Sequence, residues 1–140
     1  MKCSSCSADA VHGSYCADHY YRNAGNQAKT RSQGRGGSSI KPCDLSYSNG
    51  HKILPQLVPE DMKCPVCEKD MERGEGHCNK NNISLDCIEP SKGYVVGNMW
   101  YICWECNLYK GEESPDTIIG KAIRLKDAVD KHIERTNHGS

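Results

Sequence analysis

Two CxxC pairs, Cys64/Cys67 and Cys103/Cys106, have 35 residues between them, and no other feature restricts the fold of this chain as much. Such pairs supply four thiolates to a tetrahedral Zn²⁺, but a simple zinc ribbon separates its pairs by only roughly 15–20 residues. The extra length must build a structure of its own inside the clasp. Ile83 to Ile88 reads as a β-strand, Pro90 and Gly93 mark a loop, and Met99-Trp100-Tyr101-Ile102 reads as a second strand. After Cys103, the segment Glu105 to Tyr109 is expected to start a short helix, giving strand, loop, strand and helix around one metal.

A second ligand set lies near the amino terminus. Cys3, Cys6, Cys16 and His19 are spaced as CxxC, nine residues, then CxxH, which offers three thiolates and an imidazole to a second tetrahedral zinc, with Gly13 suited to the turn between the half-sites. Residues 1–22 are therefore expected to be a zinc knuckle. Tyr15, Tyr20, Tyr21 and Arg22 either form its small core or stack on bases and touch phosphate. Cys43, Cys78 and Cys87 are left over; packing accounts for Cys43 and Cys78, and a further metal at His77-Cys78 stays open.

Composition agrees with metal stapling. With 140 residues, 36% hydrophobic content and no Phe, the chain can bury only a thin core, and structural zinc supplies folding free energy directly. A disulfide scaffold would explain ten cysteines, but Met1-Lys2-Cys3-Ser4-Ser5-Cys6 leads into polar sequence rather than an export signal, and no apolar run reaches membrane-spanning length. Reduced, metal-bound cysteines in a cytoplasmic protein are the expectation.

The formal net charge of zero is unevenly spread. Lys2, Arg22, Lys29, Arg31, Arg35 and Lys41 face only Asp9 and Asp18 in residues 1–42, leaving +4 there and −4 in the remainder. The amino-terminal third is the part suited to a polyanion. Within it, residues 23–41, rich in Gly, Ser, Asn and Gln, are expected to be a flexible basic linker, either contacting phosphate or merely solvated. Residues 42–112 form the zinc-closed core. In residues 113–140, Ser114 is a helix N-cap with Pro115 at the first position, and Ile118, Ala122, Leu125, Val129 and Ile133 recur at helical spacing. This predicts an amphipathic helix over 115–135 whose apolar face packs on the zinc core, with a dimer contact as the alternative.

The segment Ser84-Leu85-Asp86-Cys87-Ile88-Glu89-Pro90-Ser91-Lys92-Gly93-Tyr94-Val95-Val96-Gly97-Asn98, ending in Cys103-Trp104-Glu105-Cys106-Asn107 and Lys110-Gly111, resembles the HNH (His-Me finger) endonuclease family. The likeness is to phage-type members whose ββα-metal core is clasped by two CxxC pairs, and it covers about a third of the chain, residues 64–111. The fold it implies is a small zinc-stabilised α+β protein: an HNH-like ββα-metal core preceded by the zinc knuckle and followed by the amphipathic helix. The resemblance makes Asp86 and Asn107 ligands of a catalytic Mg²⁺ or Mn²⁺ beside two structural zincs, gives Asn98 the task of pinning the loop, and puts Lys110 near the DNA backbone. Hard oxygen donors suit such an ion.

One position departs from the family pattern: Cys87 stands where the general-base histidine follows the aspartate. A thiol near 8.5 is a weak base for activating water. Three accounts are open: His77, His51 or Tyr94 replaces it, Cys87 itself acts, or catalysis has been lost. Two functions follow: a metal-dependent DNA endonuclease of phage or prophage origin, monomeric or homodimeric, whose Arg22, Lys29, Arg31, Arg35, Lys41 and Lys110 contact DNA; or a catalytically degenerate zinc protein of the same fold that binds nucleic acid or a host protein.

Overall fold

A computed structural model describes residues 1–34, 40–74 and 79–138, without the side chains of the last two. It is a small α+β protein with a two-stranded sheet, four α-helices among the described residues and two cysteine-rich clusters. Helix α1 spans Ala17–Ser32, α2 Gly50–Ile53, α3 Trp104–Lys110 and α4 Pro115–His138; short 3-10 turns cover Leu54–Leu57 and Pro90–Lys92. Strands β1, Ile83–Cys87, and β2, Met99–Cys103, are antiparallel, with Leu85 opposite Tyr101 and Asp86 opposite Trp100.

Both cysteine-rich clusters also start helices. The Cys16 sulfur accepts from the His19 backbone N–H at the beginning of α1, and the Cys103 sulfur accepts from Cys106 N–H at the beginning of α3. A thiolate there satisfies an otherwise orphaned amide and sits at the positive end of the helix dipole. The CxxH and CxxC spacings are thus the first turns of α1 and α3. Gly111, at φ 59°, ends α3.

α1 corrects the expected linker. Residues 23–32, assigned to a flexible tether, continue the helix begun in the knuckle, so the boundaries drawn at 22 and 23 fall inside one element. The cause is a stripe of small or buried residues, Tyr21, Gly25, Ala28 and Ser32, at helical spacing. A Cβ at Gly25 would meet the carbonyl oxygen of Ser46, and one at Gly50 would meet that of Tyr21. Two glycines let α1 and α2 approach backbone to backbone. Tyr21 and Ala28 then join Leu45, Leu54, Met71, Ile83, Leu85, Met99, Tyr101 and Ile102 in one core. A polar average composition concealed one narrow apolar face.

The carboxy-terminal helix forms as expected, with Ser114 Oγ accepting from Thr117 N–H. Its expected packing does not occur. Every residue from 121 to 136 is exposed, including Leu125 at 65% and Val129 at 47%. The glycine and serine punctuation at Gly111 and Ser114 turns the chain outward at the end of α3, while α1 and the segment through Leu54–Leu57 already cover the hydrophobic side of the hairpin. Among the described residues, no helix is long and apolar enough to cross a membrane.

Candidate functional site

The sulfur and imidazole donors of Cys3, Cys6, Cys16 and His19 lie within 4.8 Å of one another, as do those of Cys64, Cys67, Cys103 and Cys106. Each set matches the donors and number of a closed structural zinc site. Burial opposes ionisation of Cys3, but hydrogen bonds from backbone at Cys16 and Ser5 and contacts with neighbouring thiols outweigh it and bring the thiol down to about 6. The same balance brings Cys64 to about 7. One low-pKa thiol in each set favours the thiolate a metal needs.

β1 and α3 bring Asp86 and Asn107 to one cleft, whereas Asn98, just before β2, is not among its described lining residues. α3 packs on both strands, which sets Asn107 against β1: its Nδ2 donates to Ser84 Oγ at 2.6 Å and to the Leu85 carbonyl at 3.4 Å. Asp86 is 5% exposed. It accepts from Trp100 Nε1 at 2.8 Å and pairs with Lys110 Nζ at 3.2 Å. Lys110 also donates to the Cys87 carbonyl at 2.7 Å. Asn98 closes the connection between the strands: its Oδ1 accepts from Glu89 N–H, and its Nδ2 donates to the Glu89 and Gly93 carbonyls.

Lys110 therefore differs from its expected place. It is 7% exposed and held by Asp86, because the last turn of α3 turns it inward under the hairpin, so it is not a free contact for a DNA backbone. A buried ammonium needs such a partner.

A cleft of about 530 Å³ opens beside this group, lined by Asp86, Cys87, Tyr94 and Asn107 with Arg31 and Lys41. Arg31 stacks over the Tyr94 ring at 5.3 Å. Cys87 is buried, and desolvation together with the Asp86 charge pushes its thiol up to about 11. It stays protonated near neutral pH and is not a base there. Strand alternation also puts Cys87 on the Leu85 side and Asp86 on the Ser84 side. Tyr94 is half-buried, and desolvation raises it from its ordinary value.

The remaining expected residues are dispersed. Arg22 is committed to Asp18 at 2.7 Å, the Tyr47 carbonyl at 3.2 Å and His51 Nε2 at 3.1 Å, so it is not a free phosphate ligand, and His51 is tied into that network rather than lining the cleft. Lys29 is exposed on α1. Arg35, His77 and Cys78 lie outside the described residues. Sequence reasoning missed Ser84 and Trp100, which position Asn107 and Asp86; the signal was the period-two face they share with Asp86. No family model matches the chain, and no curated protein or solved structure matches it.

Proposed function

We propose that this protein is a zinc-stapled, metal-dependent DNA endonuclease of HNH type. The observation that carries the reading is the convergence of Asp86 and Asn107, from β1 and α3, on a cleft rimmed by Arg31 and Lys41. Two oxygen donors fit a hard divalent cation, and a carboxylate's several lone pairs are not exhausted by Trp100 and Lys110. Lys110 competes for Asp86, so binding at this carboxylate requires that their contact loosen.

A Mg²⁺ or Mn²⁺ ion at such a site would stabilise charge on the phosphoryl group and the leaving oxygen. The chain's own residues bind and orient. Arg31 and Lys41 hold the anionic strand in the cleft, Asn98 braces the loop, and Asn107 is fixed by Ser84. Hydrolysis joins a water oxygen to phosphorus, breaks the bond to the 3′-oxygen and leaves 5′-phosphate and 3′-hydroxyl ends. One water proton ends on the 3′-oxygen and the other passes to solvent, because the Cys87 thiol is already protonated near neutral pH.

A second reading, a non-cleaving nucleic-acid binder of the same build, draws support from the Asp86–Lys110 ion pair and from the protonated Cys87. Plasmid, linear, single-stranded and branched DNA, incubated with the zinc-loaded chain and Mg²⁺ or Mn²⁺, separate the two. The endonuclease reading expects cleavage by the native chain, abolished in Asp86→Asn with both zincs retained, and faster cleavage in Cys87→His. Binding without cleavage of any substrate establishes the second reading.

A further inference from the structure

On the other side of Arg31 lies a second cleft, of about 510 Å³, between α1 and the hairpin. Its volume falls within the roughly 300–1,000 Å³ of small-molecule sites. We infer that it is a pocket for an unpaired nucleobase of the strand whose phosphates occupy the Asp86 cleft; the inference rests on reading that neighbouring cleft as a phosphodiester site.

The walls fit a neutral, planar heteroaromatic group. Tyr15, Tyr20 and Trp104 supply aromatic surface, and Asn23 and Gln27 on α1 supply amide donors and acceptors for a base edge. No carboxylate is among the described lining residues. Tyr101 also lines the cleft; it is 3% exposed and its hydroxyl has no hydrogen-bond partner among the described residues. A buried hydroxyl without a partner is costly, and a base edge pressed to the cleft floor offers one.

Arg31 connects the two clefts, since it lines both. A guanidinium there meets the phosphate joining a nucleotide in the aromatic cleft to the next one across the ridge. A base paired in a duplex cannot enter a pocket of this kind without leaving its stack, so the ligand class is a single-stranded, flapped or branched region rather than intact duplex.

The test is a fluorescence-anisotropy titration of the full zinc-loaded chain, without Mg²⁺, against a short single-stranded oligonucleotide and an abasic strand of equal length. Loss of the bases is expected to weaken binding roughly ten- to hundredfold. Trp104→Leu and Gln27→Ala are expected to weaken the base-bearing strand and leave the abasic strand unchanged, with zinc content and circular dichroism as native. Equal affinity for the two strands, or no binding of either, overturns the pocket. Cleavage is measured separately with Mg²⁺, so a base preference without cleavage removes the endonuclease reading alone, and cleavage without a base preference removes the pocket alone.

Discussion

Helices α1 and α4 reverse what their sequences promise. α4 carries the broader apolar stripe, Ile118 through Ile133, yet its residues 121 to 136 are exposed; α1 is polar on average, yet Tyr21 and Ala28 are 4% and 0% exposed in the core. The difference lies in anchoring and approach. α1 is fixed at its start by Cys16 and His19 of a cluster that fits a metal and meets α2 through facing glycines, whereas α4 follows a turn at Gly111 and has no such anchor among the described residues. Amphipathicity states that a helix has a face to bury, and the tertiary anchors decide whether that face is buried.

Breaking the anchor tests this most severely. Cys16→Ala removes both a metal ligand and the cap of α1, and is expected to forfeit a large share of the roughly 10–16 kcal/mol that structural zinc can contribute. Metal analysis should give one zinc per chain instead of two, with lost helical dichroism and a lower Tm. Two zincs and an unchanged melt would show that α1 holds without its cluster.

Next in size is the close approach itself. Gly25→Leu places a Cβ against the Ser46 carbonyl and a bulky side chain between two backbones. Overpacking of this kind is expected to cost about 3 kcal/mol, despite a better helix propensity than glycine, as read from denaturant unfolding. An unchanged midpoint would mean that α1 and α2 separate freely.

The closure of α1 over the hairpin has an alkaline readout. Arg31 and Ser32, at the end of α1, share a cleft with Cys87, whose burial pushes its thiol from 9.0 to about 11. Between those values the unfolded chain has released the proton that the folded chain keeps, so folding loses stability as pH rises. The contribution is full below about 9 and is lost through about 11, amounting to about 3 kcal/mol. The difference in stability between native chain and Cys87→Ala, followed across that window, should shrink with rising pH. A constant difference would place the thiol in water, and α1 off the hairpin.

Legibility followed the same division. Ligand spacing made the two metal clusters readable, because CxxC and CxxH bring donors together within one turn whatever surrounds them. The strands at Ile83 and Met99 and the helix starting after Cys103 were readable from apolar runs between turn residues. Hidden from the sequence were contacts between distant positions: Gly25 against Ser46, Arg22 against His51, and Lys110 against Asp86. The last matters most for the site, since Lys110 carries no local sign that it folds inward to a carboxylate 24 positions earlier.

The smallest expected effect falls on α4. Val129→Asp puts a charge in the middle of its apolar stripe, where a helix packed on a core would lose several kcal/mol through an unpaired buried carboxylate. At 47% exposure the new carboxylate remains hydrated, and the stability change is expected to stay within about 0.5 kcal/mol. Equilibrium unfolding at two protein concentrations checks it. A larger loss that is the same at both would mean that the stripe packs within the chain, as the periodicity first implied; a loss that varies with concentration would mean that a second copy covers it. Either result would remove the contrast with α1, because both helices would then bury the face their sequences carry.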